Sequence, residues 1–131
     1  MEEGTKLTRT GLAIGSPFYI APEQAKDAKN ANHRADIYSL GCILFHMLVG
    51  SPPYKGINQL EVILKHVNKP VQDVRKRNPE VSRELSEVIM IMTAKNPNTR
   101  FQTPQEVKEA LRPFLSEQKV EAGPVRFARK H

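Results

Sequence analysis

Whatever chemistry this chain performs rests on hydroxyl, carboxylate and guanidinium groups. Threonines stand at Thr5, Thr8 and Thr10, and residues 15 to 23 read Gly-Ser-Pro-Phe-Tyr-Ile-Ala-Pro-Glu. Further on come Asp36-Ile-Tyr-Ser-Leu-Gly41 and, near the far end, Asn96-Pro97-x-x-Arg100. A carboxylate and an arginine can join in a planar two-point ion pair. An aspartate ahead of a helix can cap it, and an exposed hydroxyl can take a phosphate. Metal and phosphate-cradle chemistry has no comparable support. His33, His46, His66 and His131 share no metal-ligand spacing with one another or with Cys42. No Gly-x-x-x-x-Gly-Lys or Gly-x-Gly-x-x-Gly occurs, so no loop of that kind is expected to hold a nucleotide.

The frame for these residues is small. A chain of 131 residues makes one domain at most, able to bury roughly two thirds of its unfolded surface. Apolar residues make up 39% and charged residues 26%, which fits a soluble globular protein and argues against wholesale disorder. The net charge of +6 raises nucleic acid as a partner. The cations are scattered, however, from Lys26 and Lys29 through Arg75, Lys76 and Arg77 to Arg126, Arg129 and Lys130, with few aromatics among them. A solvated basic surface accounts for them better, and no nucleic-acid partner is expected. The single cysteine, Cys42, excludes an internal disulfide and sits in an apolar run, as a buried small hydrophobe would. That run, Ile37 to Val49, is too short to span a bilayer, and the first residues hold no hydrophobic signal core. A cytoplasmic chain with no membrane partner is the expectation.

Periodicity gives an all-α reading with four main helices and no convincing strand. Residues 1–20 carry little periodicity and are expected to be extended. Pro22 can open a short helix through about Lys26, and polar Asp27 to Arg34 reads as a loop. Asp36 stands as the N-cap of a long helix that Gly50 and Pro52-Pro53 end. Its apolar residues cover every side, so it should be enclosed by protein. Asn58 caps a second helix to about Val67, and residues 68 to 81 form a connector. Ser82 starts a third helix, with Leu85, Val88, Ile89 and Met92 facing inward and Met90 and Ile91 widening that stripe. Asn96 to Thr99 makes a turn. Thr103-Pro104-Gln105-Glu106 supplies a cap, a first-turn proline and a capping-box acid for the fourth helix, with Val107, Ala110, Leu111 and Leu115 on one face. Residues 116–131 read as a basic tail or linker.

In this order the segments resemble the second half of the large lobe of a serine/threonine protein kinase, in the style of the eukaryotic-type kinases of bacteria. Four pieces carry the resemblance jointly: Gly15 to Glu23, Arg34-x-Asp36-Ile-Tyr-Ser-Leu-Gly41, Gly50-x-Pro52-Pro53-Tyr54, and Asn96-Pro97-x-x-Arg100. It implies an activation-segment remnant over 1–20 and a helical half-lobe over 21–115. Glu23 and Arg100 would form a buried ion pair between the activation segment and the last helical connection. Asp36 would also anchor the backbone of a catalytic loop. Ser16 would bond the catalytic aspartate, and Pro17, Phe18 and Tyr19 with Ile20 would floor the site for the substrate residue after the target hydroxyl. Thr5, Thr8 and Thr10 fall where activation loops are phosphorylated. Gly11-Leu12-Ala13 mimics part of the family's magnesium motif, but Arg9 and Thr10 stand in its aspartate and phenylalanine places.

The family transfers the γ-phosphoryl of ATP, with magnesium, to a serine or threonine hydroxyl. By this resemblance the chain is expected to be truncated on its N-terminal side, with no catalytic residue, ATP site or metal site of its own. It would supply substrate docking and a structural base, and be inactive in isolation. Its partners would be the remainder of a kinase domain and a protein substrate. The alternative is a truncated, non-catalytic helical protein that binds a partner over its central helix.

Overall fold

The computed structural model describes residues 16–115, and among these there is no strand. The readings that fall on 1–15 and 116–131, including Thr5, Thr8, Thr10 and the basic tail, lie outside the described residues. Five α-helices follow in order: α1 (Pro22–Lys26), α2 (His33–Val49), α3 (Gln59–Asn68), α4 (Arg83–Met92) and α5 (104–115). Four are the expected main helices, with α1 as the short one. Single 3₁₀ turns at Pro17–Tyr19, Ala28–Asn30, Val74–Lys76 and Pro97–Thr99 tighten the connections.

Capping side chains fix where the helices begin. Asn58 Oδ1 accepts the Glu61 N–H at 2.9 Å, and Ser82 Oγ accepts the Leu85 N–H at 3.1 Å. Thr103 Oγ1 accepts the Glu106 N–H, while the Glu106 carboxylate reaches one residue past the cap to the Gln102 N–H. The long helix departs from expectation. Its cap is Asn32, whose Oδ1 accepts the Arg34 N–H at 2.9 Å, and Asp36 lies inside the first turn. His33 and Arg34 are helical because distant groups satisfy their polar side chains. His33 Nε2 donates to the Gln102 carbonyl, and Arg34 Nη1 donates to Asn98 Oδ1 and Gln102 Oε1. Asp36 keeps a favourable place there, since a carboxylate in a first turn complements the helix dipole. At the other end, Gly50 takes φ +93°, the left-handed geometry of a C-cap, and returns its N–H to His46 O.

Helix α2 is the axis of the molecule. Phe45 joins Tyr54, Val62, Val74 and Ile89 in the largest apolar cluster. Tyr38 and Cys42 pack with Ala21 and Ala35, and Ile37 packs with Met92 and Val107. Gly41 permits the closest approach of α2 and α4: a Cβ there would lie 2.7 Å from Thr93 Cγ2 and 2.8 Å from Met92 Cβ. Enclosure of α2 is incomplete, contrary to expectation. Leu40, Ile43 and Met47 are exposed by 39, 36 and 72% and recur at helical spacing on one side. Met90 and Ile91 are likewise exposed, so the inward stripe of α4 is narrower than its apolar content suggests.

Candidate functional site

The turn Pro17–Tyr19 packs against α2 and α3, and hydrogen bonds from both helices hold it. Ser16 Oγ caps the 3₁₀ turn by accepting the Phe18 N–H at 3.0 Å. Ser39 Oγ on α2 donates to the Tyr19 carbonyl at 2.6 Å, and Tyr19 Oη lies 2.8 Å from His46 Nδ1. His66 on α3 reaches the Phe18 carbonyl through Nε2 at 3.0 Å. With its backbone held from two helices, the segment turns the Phe18 ring to the surface, 37% exposed. Ile20 and Ala21 beyond it are buried, and the buried Gln24 side chain accepts the Ala21 N–H.

Glu23, at the start of α1, meets Arg100. Arg100 Nη1 bonds Glu23 Oε2 at 2.6 Å and Nη2 bonds Oε1 at 2.8 Å, the bidentate geometry of a planar fork. The guanidinium is fully buried, and its other N–H groups are also occupied. Nε donates to the Ala94 carbonyl, Nη1 to that of Arg34 and Nη2 to that of Lys95. Five donors thus find five acceptors, and the plane lies 4.9 Å from the centre of the Tyr38 ring. One side chain thereby ties α1, α2 and the 94–100 connection together, which lysine with its three donors could not do.

Beside this pair lies a polar cluster that sequence reasoning missed. His66, Tyr38 and Cys42 are fully buried, and Tyr54 nearly so. Tyr38 Oη is 2.6 Å from His66 Nδ1, and Lys95 Nζ lies 3.2 Å from Tyr38 Oη and 3.1 Å from Tyr54 Oη. Tyr54 Oη donates to the Lys69 carbonyl. Burial dominates the ionisation of all these groups. It pushes the Cys42 thiol up to about 12 and both tyrosine hydroxyls well above their usual range. It also pulls Lys95 down to about 8. Nothing in the sequence singled out His66, for α3 buries Val62 and His66 while Leu60 and Leu64, apolar and at helical spacing, are exposed.

Asp36 is exposed, on the wall of a groove of about 370 Å³ between α2 and α5 that Ile37, Leu40, Val107 and Leu111 line. It is remote from the Ser16–Tyr19 turn in the sense that neither hydrogen bonds nor ion pairs connect them. Among the described residues no cluster of His, Cys, Asp or Glu could hold a metal ion, and no helix is long and apolar enough to cross a membrane.

Comparison with known proteins decides what this arrangement is. A family model for the protein kinase domain matches residues 2–112. The chain belongs to the protein kinase domain family. Over 110 residues it is 36% identical to the serine/threonine-protein kinase PknB of Mycolicibacterium smegmatis, covering 84% of this chain and 17% of that protein. Over 102 residues it is 39% identical to the DNA damage-responsive serine/threonine-protein kinase RqkA of Deinococcus radiodurans, covering 78% of this chain and 15% of that protein. A probable serine/threonine-protein kinase PknB of Lactococcus lactis is 37% identical over 103 residues, covering 79% and 16%. The chain is a fragment of a bacterial-type serine/threonine kinase domain, and it spans about a sixth of the length of these relatives. For the full domain the family implies ATP and magnesium. Among the described residues no side-chain set fits magnesium, and the sequence has no phosphate-cradling glycine loop of the kinds sought above.

Proposed function

We propose that this kinase segment supplies the substrate-docking floor and the structural base for phosphoryl transfer to a protein serine or threonine, and does not carry out the transfer by itself. The observation that supports it best is the Ser16–Tyr19 turn, whose backbone is held by Ser39 and His66 while the Phe18 ring faces outward. A floor for a substrate side chain needs this combination, because an ordered backbone reduces the entropy lost on binding. In this reading the Ser16 hydroxyl bonds the catalytic aspartate of the rest of the domain, and the exposed Asp36 carboxylate accepts N–H groups from the catalytic loop. Phosphorylation at Thr8 or Thr10, and secondarily Thr5, would supply a phosphate for an arginine of the catalytic loop to bind. Mass spectrometry of active protein finding all three threonines unmodified would remove that part.

The Leu40–Ile43–Met47 stripe then lies under the remainder of the kinase domain, consistent with the small share of its relatives that the chain spans. The decisive assay compares the 131-residue chain with a complete kinase containing it, using magnesium, ATP and a serine or threonine peptide. Phosphate transfer is expected from the complete kinase alone; transfer by the highly purified short chain would refute the reading. The same stripe supports a second reading, a non-catalytic helical protein that covers Leu40, Ile43 and Met47 with a different partner. Intact-mass measurement of the endogenous polypeptide separates the two. A mass near 14.8 kDa favours the partner-binding protein, and a much larger mass favours the kinase.

A further inference from the structure

His66 sits in the last turns of α3 with its ring fully buried, edge-on to Tyr54 at 4.8 Å and to Tyr38 at 5.5 Å between ring centres. Its two nitrogens face groups of opposite character. Nε2 is 3.0 Å from the Phe18 carbonyl, which can only accept, so Nε2 carries the hydrogen. Nδ1 of a neutral ring must then accept, and Tyr38 Oη, 2.6 Å away, must donate to it. The Tyr38 oxygen is left as the acceptor for the Lys95 ammonium, whose other contact, Tyr54 Oη, donates onward to the Lys69 carbonyl. A protonated ring would set a second cation against Tyr38 Oη and leave the Tyr38 hydrogen without its acceptor. Burial first, and then the Lys95 charge, lower the His66 pKa to about 4 despite the Phe18 carbonyl.

We propose that His66 is the positioning residue of the docking turn: its Nε2–H fixes the Phe18 carbonyl, and the Lys95–Tyr38 chain behind it selects the tautomer able to do so. The functional side of this proposal rests on the docking reading above. The peptide plane that His66 holds leads directly from Phe18, the exposed residue of the turn, to Tyr19, whose carbonyl Ser39 holds. One hydrogen bond therefore sets how the floor faces a substrate, without His66 touching the substrate.

Two substitutions separate the two nitrogens. In His66→Gln the side-chain amide reaches the Nε2 position and can still donate to Phe18. In His66→Asn it reaches only the Nδ1 position and leaves the carbonyl unpaired. Amide hydrogen exchange on the full 131-residue chain reads the turn at Tyr19 and Ile20, whose N–H groups bond Ser16 and Pro17 carbonyls, and reads α4 as the control. His66→Asn is expected to speed exchange at the turn about fivefold to tenfold, the scale of one hydrogen bond, with α4 unchanged and His66→Gln close to wild type. Ring nitrogen shifts should report the Nε2–H tautomer. Equal exchange in the two variants, or an Nδ1–H ring in the wild type, would overturn the proposal. Should His66→Asn fail to fold, Tyr38→Phe takes its place: a mixed His66 tautomer with a faster turn supports the proposal, and an unchanged turn sinks it. In a complete kinase containing this segment, His66→Asn should raise the peptide KM while kcat and the ATP KM hold, and His66→Gln should restore it. If Phe18→Ala leaves the peptide KM unchanged, the docking reading fails, and the exchange result still judges His66.

Discussion

The two sides of helix α2 are finished to different degrees. On one side, Tyr38 and Cys42 lie among Arg100, His66, Lys95 and Tyr54, where every polar atom has a partner and charge is matched by five hydrogen bonds at a single guanidinium. On the other, Leu40, Ile43 and Met47 leave apolar surface open to solvent, most of it at Met47. A buried polar network is stable only when complete, since each unmatched group keeps its desolvation cost. An apolar face carries no such condition and can stay open until a partner arrives. The difference separates a side whose groups are satisfied within the described residues from one that fits the proposed covering by the rest of a kinase domain.

The largest effect that could break this contrast is at Arg100. Arg100→Ala strands a partly buried Glu23 and frees three carbonyls, so it should cost about 3–5 kcal/mol in urea unfolding. Glu23→Ala should also destabilise, and the double variant should lose less than the sum of the two. Fully additive losses would mean the pair is not one unit. Acid is the next lever. His66 binds its proton near 6.5 when unfolded and near 4 when folded, so the neutral ring's contribution is complete above pH 6.5. It is lost as pH falls toward 4, by about 3 kcal/mol. The His66→Gln chain should lack that increment, which a stability profile from pH 7 to pH 4 for both proteins measures; parallel profiles would rule it out.

Smaller effects sharpen the comparison. Gly41→Ala places a methyl against Thr93 and Met92 and should cost about 1–3 kcal/mol by thermal melting, since two packed helices must separate. An unchanged Tm would show that the α2–α4 contact is slack. Met47→Lys on the open side should change stability by no more than about 0.5 kcal/mol. Its effect should appear instead as lost activity in a complete kinase containing this segment. A large stability loss at Met47 would mean that the open side is already packed.

The sequence alone determined much of this protein. The helix-period apolar residues, Asn58, Ser82 and Thr103 ahead of their helices, and Gly50 behind one, are local signals, because capping and periodicity act within a turn or two of chain. The family was also legible, since four short motifs in fixed order carry it. Tertiary structure decided the rest. Asn32 rather than Asp36 begins α2 because Asn98 and Gln102, far along the chain, satisfy Arg34. The pairing of Glu23 with Arg100 was an inference from resemblance, and only the fold places their side chains 2.6 Å apart. The His66–Tyr38–Lys95 chain had no sequence signature, since its members come from three separate segments and each reads locally as an ordinary residue. Which apolar residues of α2 remain open was undecidable from their types, for burial depends on what packs against a face and not on the face itself.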